Sequence, residues 1–199
     1  MAHEISRKRF LKQAGAVLGI AATGFPSLIL PRKRDKLGVA LVGLGGYATG
    51  RLAPGLQLTE HCELRGIVTG TPSKIPRWQQ EYGIPDKNVY NYETLPDVAN
   101  NDDIDILYIV TPPAIHARDA IRAAEAGKHV WCEKPMAMNA KECRQMISAC
   151  EKNNVKLAIG YRLQHEPNNQ KMMEWARTKP FGEIKDLRAA AGFYGSSLD

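Results

Sequence analysis

From residue 37 onward the chain alternates short apolar runs with longer amphipathic stretches. The runs LGVALVG (37–43), LRGIVTG (64–70), IDILYIV (104–110), KHVWCE (128–133) and VKLAIGY (155–161) are nearly uninterrupted, as expected of strands buried on both faces of a parallel sheet. Between the later runs lie helical patterns. Residues 115–126 place Ile115, Ala117, Ala120, Ile121 and Ala124 on one face, with Gly127 where a left-handed cap is wanted. Asn139 is expected to start the next helix, through Asn154, with Met146, Ile147 and Cys150 inward. After Tyr161 the pattern changes: Pro167 can open a helix through Trp175, Gly182 breaks it, and residues 184–194 read as a strand of a second sheet. Strand–helix alternation of this kind predicts an α/β fold, a Rossmann-type doubly wound parallel sheet followed by the start of a truncated α+β domain. The expected divisions are 1–36, 37–160 and 161–199.

A length of 199 residues allows one good core and part of another. The formal charge of +6 invites a nucleic-acid reading until it is located: residues 1–36 hold eight Lys/Arg against Glu4 and Asp35, whereas residues 37–199 hold 19 bases and 19 acids. A neutral body lacks the basic face that phosphate-backbone binding requires. The surplus belongs to an N-terminus in which SRKRFLK (6–12) precedes the uncharged, Gly- and Ala-rich stretch from Ala14 to Leu30, a signal-peptide layout. It resembles a twin-arginine export signal, with Lys8 where a second arginine is usual, and implies the twin-arginine export machinery as a partner and a periplasmic or outward-facing anchored location. A buried N-terminal helix is the plainer alternative.

Cys143 and Cys150 stand seven apart on one expected helix, about 10 Å of rise, beyond the roughly 7 Å between α-carbons that a disulfide spans. No C-x-x-C pair is present, so no structural zinc is expected. The four cysteines read as reduced, mostly buried thiols.

Two places carry chemistry. GLGGYA (43–48) fits G-x-G-x-x-A directly after the first strand. There Gly43 permits the tight turn, Gly45 lets backbone N–H groups approach a pyrophosphate, and Ala48 allows close helix–strand packing. An NAD site would add an acid at the end of the second strand, but none occurs between Glu63 and Glu81; Thr69, Thr71, Ser73, Lys74 and Arg77 stand there instead. Donors and cations suit a 2′-phosphate, so NADP is favoured, with NAD the alternative. The second place is WCEKPMAM (131–138), where the run KHVWC ends in Glu133, Lys134 and Pro135. Ligands of doubly wound folds bind outside the carboxyl ends of strands, which puts this acid and base beside the cofactor. An amine there can exchange a proton with a sugar hydroxyl while hydride leaves the adjoining carbon.

TPPAIHA (111–117), AGKHVWCEKPMA (126–137) and GYRLQHEP (160–167), in that order behind GLGGYA, resemble the Gfo/Idh/MocA family of oxidoreductases, and within it the glucose–fructose oxidoreductase group, to which TGTPSK and VYNY (89–92) also point. The likeness covers about residues 37–199. It implies that Lys134 is the catalytic lysine, with Glu133 orienting the nicotinamide end. Gly43, Leu44, Gly45, Gly46 and Tyr47 match its pyrophosphate loop, and Lys74 and Tyr90 resemble groups around the 2′-phosphate. Thr111, Pro112 and His116 match the loop bordering the adenosine-to-nicotinamide cleft, though Pro113 stands where Asn is frequent. Arg162 resembles a residue facing cofactor or substrate. Implied too are a sugar or polyol substrate, homo-oligomerisation through a second domain, and further catalytic residues, an Asp followed by His or Tyr, downstream of residue 199. A redox-assisted glycosidase or lyase and a non-catalytic sugar or nucleotide sensor are the other functions this scaffold implies.

Overall fold

The computed structural model describes residues 35–188; residues 1–34, with the expected export signal, and 189–199 lie outside the described residues. Six strands form one parallel sheet in the order β3-β2-β1-β4-β5-β6, where β1 is Leu37–Val42, β2 Cys62–Val68, β3 Val89–Tyr90, β4 Ile106–Ile109, β5 His129–Cys132 and β6 Leu157–Ile159. Sequence order runs outward from β1 to one edge, then restarts at β4 on its other side. That reversal is the topological switch at which doubly wound folds hold ligands.

The expected helices stand within a few residues of their sequence bounds. The π-helical turn Ala48–Leu52 leads into α1 (Ala53–Gln57), and α2 (Ile75–Tyr82) follows β2. Next come α3 (His116–Glu125), α4 (Ala140–Lys152) and α5 (Pro167–Thr178). Asn139 caps α4 by accepting from the Glu142 N–H at 3.0 Å, which satisfies one of the four donors a helix start leaves open. Past α3, Gly127 adopts φ +73°, the left-handed cap expected of it.

The alternation of strand side chains divides the core in two. Ala40 and Val42 of β1 point to the face covered by α3 and α4, with Leu107, Ile109, Val130, Ala120, Ala124, Met146 and Cys150. Val39 and Leu41 point to the opposite face, with Ile67, Leu56, Trp78 and Ile106. Each face buries a layer of aliphatic side chains, roughly 1.5–3 kcal/mol apiece.

Two expectations differ, and one strand was not foreseen. Ile147 is 43% exposed, because Met146 and Cys150, one turn apart, already fill the seam against the sheet and leave position 147 on the flank of α4. The two-residue strand β3 was not distinguished in the sequence, being too short to show a period. Of the expected strand 184–194, residues 184–188 are in no strand, with Ile184 and Leu187 58% and 78% exposed, and 189–194 lie outside the described residues.

Candidate active site

The site assembles at the carboxyl edge of the sheet from five loops, the last of which follows β6 and carries Arg162. The first follows β1. Gly43 takes φ +97° and is held by its N–H donating to Val68 O at 2.9 Å. A side chain there would meet Thr111 Cγ2 and Val110 O at 3.1 Å, so both the turn and the close approach of the loop after β4 require glycine. Leu44 turns inward and is 4% exposed. At Gly45 and Gly46 a first side-chain carbon would stand in open space, with nothing within 4 Å. The backbone of these two residues is thus bare on its outer side, a cradle that fits a pyrophosphate approaching main-chain N–H groups.

Beside it, on the same side of the switch, the loop after β2 faces this cradle. Lys74 donates through Nζ to Leu44 O at 2.8 Å, bringing its cation to the glycine turn. Thr69 is buried, with Oγ1 accepting from the Thr71 N–H at 3.1 Å. Basic and hydroxyl groups, with no carboxylate in the segment, fit a phosphorylated ribose. Tyr90 adjoins this group only through its carbonyl, which accepts from the Thr69 N–H at 2.9 Å; its side chain is turned away. Its hydroxyl accepts from Asn101 Nδ2 at 2.7 Å, and its ring packs against the core, because β3 turns that side chain into the sheet's interior.

The third and fourth loops follow β4 and β5. Thr111 is buried, and its Oγ1 donates to Asp119 Oδ2 at 3.3 Å. His116, 1% exposed, stands with Nε2 2.7 Å from Thr111 O and Nδ1 2.9 Å from Pro135 O. Both ring nitrogens therefore meet backbone carbonyls of the two loops. Glu133 receives its place from β5, its N–H donating to Ile109 O at 2.9 Å. Its Oε1 accepts from the Tyr108 hydroxyl at 2.7 Å and its Oε2 from the Lys134 N–H at 3.2 Å. Lys134 is exposed, and the Lys134–Pro135 bond is cis.

A cavity of about 390 Å³ is lined by Tyr47, Thr111, His116, Glu133, Lys134 and Arg162, together with Val110 and Pro113. Six residues predicted from four separate segments thus meet in one hollow, whereas Pro112 is outside its lining and Pro113 is in it. Larger hollows run along α5 and between α3 and α4, about 620 and 580 Å³. Neither gathers residues of the glycine turn or of the Glu133–Lys134 segment, so chemistry rather than size selects the site.

Three participants were not foreseen. Tyr108 read as one more core position of IDILYIV. Gly160 leaves room for the Glu133 carboxylate, whose Oε1 would lie 2.9 Å from a side-chain carbon there. Asp119 is fully buried in the first turn of α3, where its Oδ1 accepts from Arg118 Nε at 2.8 Å. Helical spacing from Ala120 and Ala123 could have shown that His116 and Asp119 share the buried face; Gly160 opens the GYRLQHEP run without any sign of its contact with Glu133, and nothing in the sequence marks Tyr108.

Comparison with known proteins agrees with this geometry. A solved structure of aldose-aldose oxidoreductase from Caulobacter crescentus, complexed with glycerol, superposes with a TM-score of 0.70 and 44% identity, covering 72% of this chain and 43% of that one. D-xylose 1-dehydrogenase [NADP(+)] of Haloarcula marismortui is 30% identical over 64% of this chain and 35% of its own length. A glycosyl hydrolase family 109 protein of Shewanella baltica is 28% identical over 94% of this chain and 46% of that protein. The chain spans less than half the length of these relatives. The sequence model of the Gfo/Idh/MocA family, described as an oxidoreductase family with an NAD-binding Rossmann fold, matches residues 37–161. With more than half of its residues matched and its glycine cradle at the switch of a 3-2-1-4-5-6 sheet, the chain belongs to the Gfo/Idh/MocA oxidoreductases.

Proposed function

We propose that this chain is the nucleotide-binding part of an NADP-dependent oxidoreductase that exchanges hydride with a sugar or polyol in the manner of glucose–fructose oxidoreductases. The observation that carries the reading is the meeting of Glu133, Lys134, Thr111, His116, Tyr47 and Arg162 around one cavity beside the bare glycine turn. A bound nicotinamide nucleotide would supply the hydride acceptor. The protein's own groups supply the rest: the Lys134 amine takes or returns the proton of the substrate hydroxyl, Glu133 sets a carboxylate at the nicotinamide end, and Arg162 offers donors to a hydroxylated substrate. NADP is supported by Lys74 at the glycine turn and by the likeness to an NADP-linked xylose dehydrogenase. A sugar substrate is supported by the likeness to an aldose-aldose oxidoreductase. The basic and apolar segment 6–30 supports export through the twin-arginine route with the cofactor already bound, and the reading extends to a homo-oligomer outside the cytoplasm.

Titration of the purified protein with NADP⁺ and NAD⁺ tests this reading. NADP⁺ should bind the more tightly, and Lys74→Ala should weaken NADP⁺ while leaving NAD⁺ unchanged. Lys134→Ala should slow sugar oxidation by about 10²–10⁴-fold with nucleotide affinity kept. Absence of any nicotinamide-nucleotide binding would end the proposal.

One observation favours a second reading: the likeness to a glycosyl hydrolase family 109 protein extends over 94% of the chain. Transient oxidation at a sugar carbon followed by cleavage of a neighbouring bond would use the same residues. Glycoside cleavage sustained without any added electron acceptor selects this alternative.

A further inference from the structure

Three adjacent strands converge on one carboxylate beside the cavity. Tyr108 of β4 and Trp131 of β5 are register partners, their rings meeting edge to face at 5.6 Å and 88°. The Tyr108 hydroxyl reaches Glu133 Oε1 at 2.7 Å. Gly160, just past β6, leaves the room that this carboxylate occupies, since a side-chain carbon there would lie 2.9 Å from the same oxygen. Burial, then the hydrogen bond and charge of Glu133, push the Tyr108 phenol far above its ordinary range. Tyr108 is therefore the donor and Glu133 the acceptor. At 8% exposure the Glu133 charge is screened less than the cations of Lys134 and Arg162, which share the cavity but are exposed.

We infer that Tyr108 is a positioning residue which, with the bare backbone of Gly160, holds Glu133 as a fixed negative charge facing the nucleotide, and that this charge makes the site prefer the oxidised to the reduced nicotinamide form. The inference rests on the nucleotide reading above. The oxidised ring is a cation and the reduced ring is neutral, so a carboxylate held beside it stabilises one form and is nearly indifferent to the other. Tyr108 acts only through Glu133. Without its hydroxyl the carboxylate keeps a single hydrogen bond, from the Lys134 N–H, and is free to swing away.

The test is the ratio of dissociation constants for NADPH and NADP⁺, measured by equilibrium titration on the wild-type protein, Y108F, G160A, E133Q and the Y108F/E133Q double variant. Phe at 108 keeps the ring and its contact with Trp131. Ala at 160 leaves the phenol in place and displaces the carboxylate instead. The ratio should fall by about three- to tenfold in each single variant, and Y108F should add nothing in the E133Q background. A role for Tyr108 in packing alone would weaken both nucleotides alike. Wild-type binding of both forms with an unchanged ratio in Y108F and G160A overturns the inference and leaves the nucleotide reading standing. Failure of the wild type to bind either form overturns both.

Discussion

At the scale of single residues, environment decides which groups are reactive. His116, a candidate for contact with the cofactor, has both ring nitrogens within 2.9 Å of backbone carbonyls, those of Thr111 and Pro135. Its position ties the loop after β4 to the turn that carries Lys134. Cys132 is a contrasting case: the thiol is fully buried, and burial, followed by the Glu133 charge, pushes it up from 9.0 to about 12. It remains a thiol rather than a thiolate at neutral pH, so the native protein should resist alkylation there. The raised value also has a sign for stability. Above pH 9.0 the unfolded chain sheds a proton that the folded chain keeps until about 12, so stability falls as pH rises through that window. Cys132→Ala removes this contribution, and the urea midpoint of the variant should decline less steeply above pH 9.0.

At the scale of elements, the glycine turn separates folding from binding. Gly43 has φ +97° and backbone atoms pressed close to it, so Gly43→Ala should cost about 1–3 kcal/mol of stability. Gly45 has open space where a side chain would stand. Gly45→Leu should therefore leave the urea midpoint of the free protein unchanged while abolishing nucleotide binding, because the new side chain fills the cradle. Loss of stability in the second variant, or binding retained by it, would show that the cradle is not a ligand surface. The motif was legible in the sequence at this scale because its constraints are local: a strand, a turn and a helix start within a dozen residues. The residues after β2 were only partly legible. Thr69, Thr71 and Lys74 lie at the loop beside the turn, but Tyr90 turns inward, and the facing of a two-residue strand depends on its register with β2 rather than on any pattern of its own.

At the scale of the whole molecule, the sheet presents one edge to ligands, and β1 is buried on both faces from Gly38 to Val42. Toward β6, Tyr108 and Trp131 are half-buried and Ala158 is exposed; the net charge from residue 37 onward is zero. Among the described residues no helix is long and apolar enough to cross a membrane. A nucleotide laid across the switch would bridge the loops after β1, β2, β4 and β5, which are otherwise joined mainly through the sheet. Binding to the folded state alone stabilises it by mass action. NADP⁺ at about 100 times its Kd should then add about 2.7 kcal/mol and raise the melting temperature, an effect that Gly45→Leu should abolish. The parallel sheet, five of its six strands and the Glu133–Lys134 pair at a strand end follow from the chain itself, since apolar runs, caps and glycine turns act within a few neighbouring residues. Which side chains meet does not. Tyr108 and Glu133 are 25 residues apart, and Glu133 meets both Tyr108 and Gly160 only because β4, β5 and β6 lie side by side in register. That adjacency is decided by packing of the whole sheet, so the fixed carboxylate of the site belongs to the tertiary structure alone.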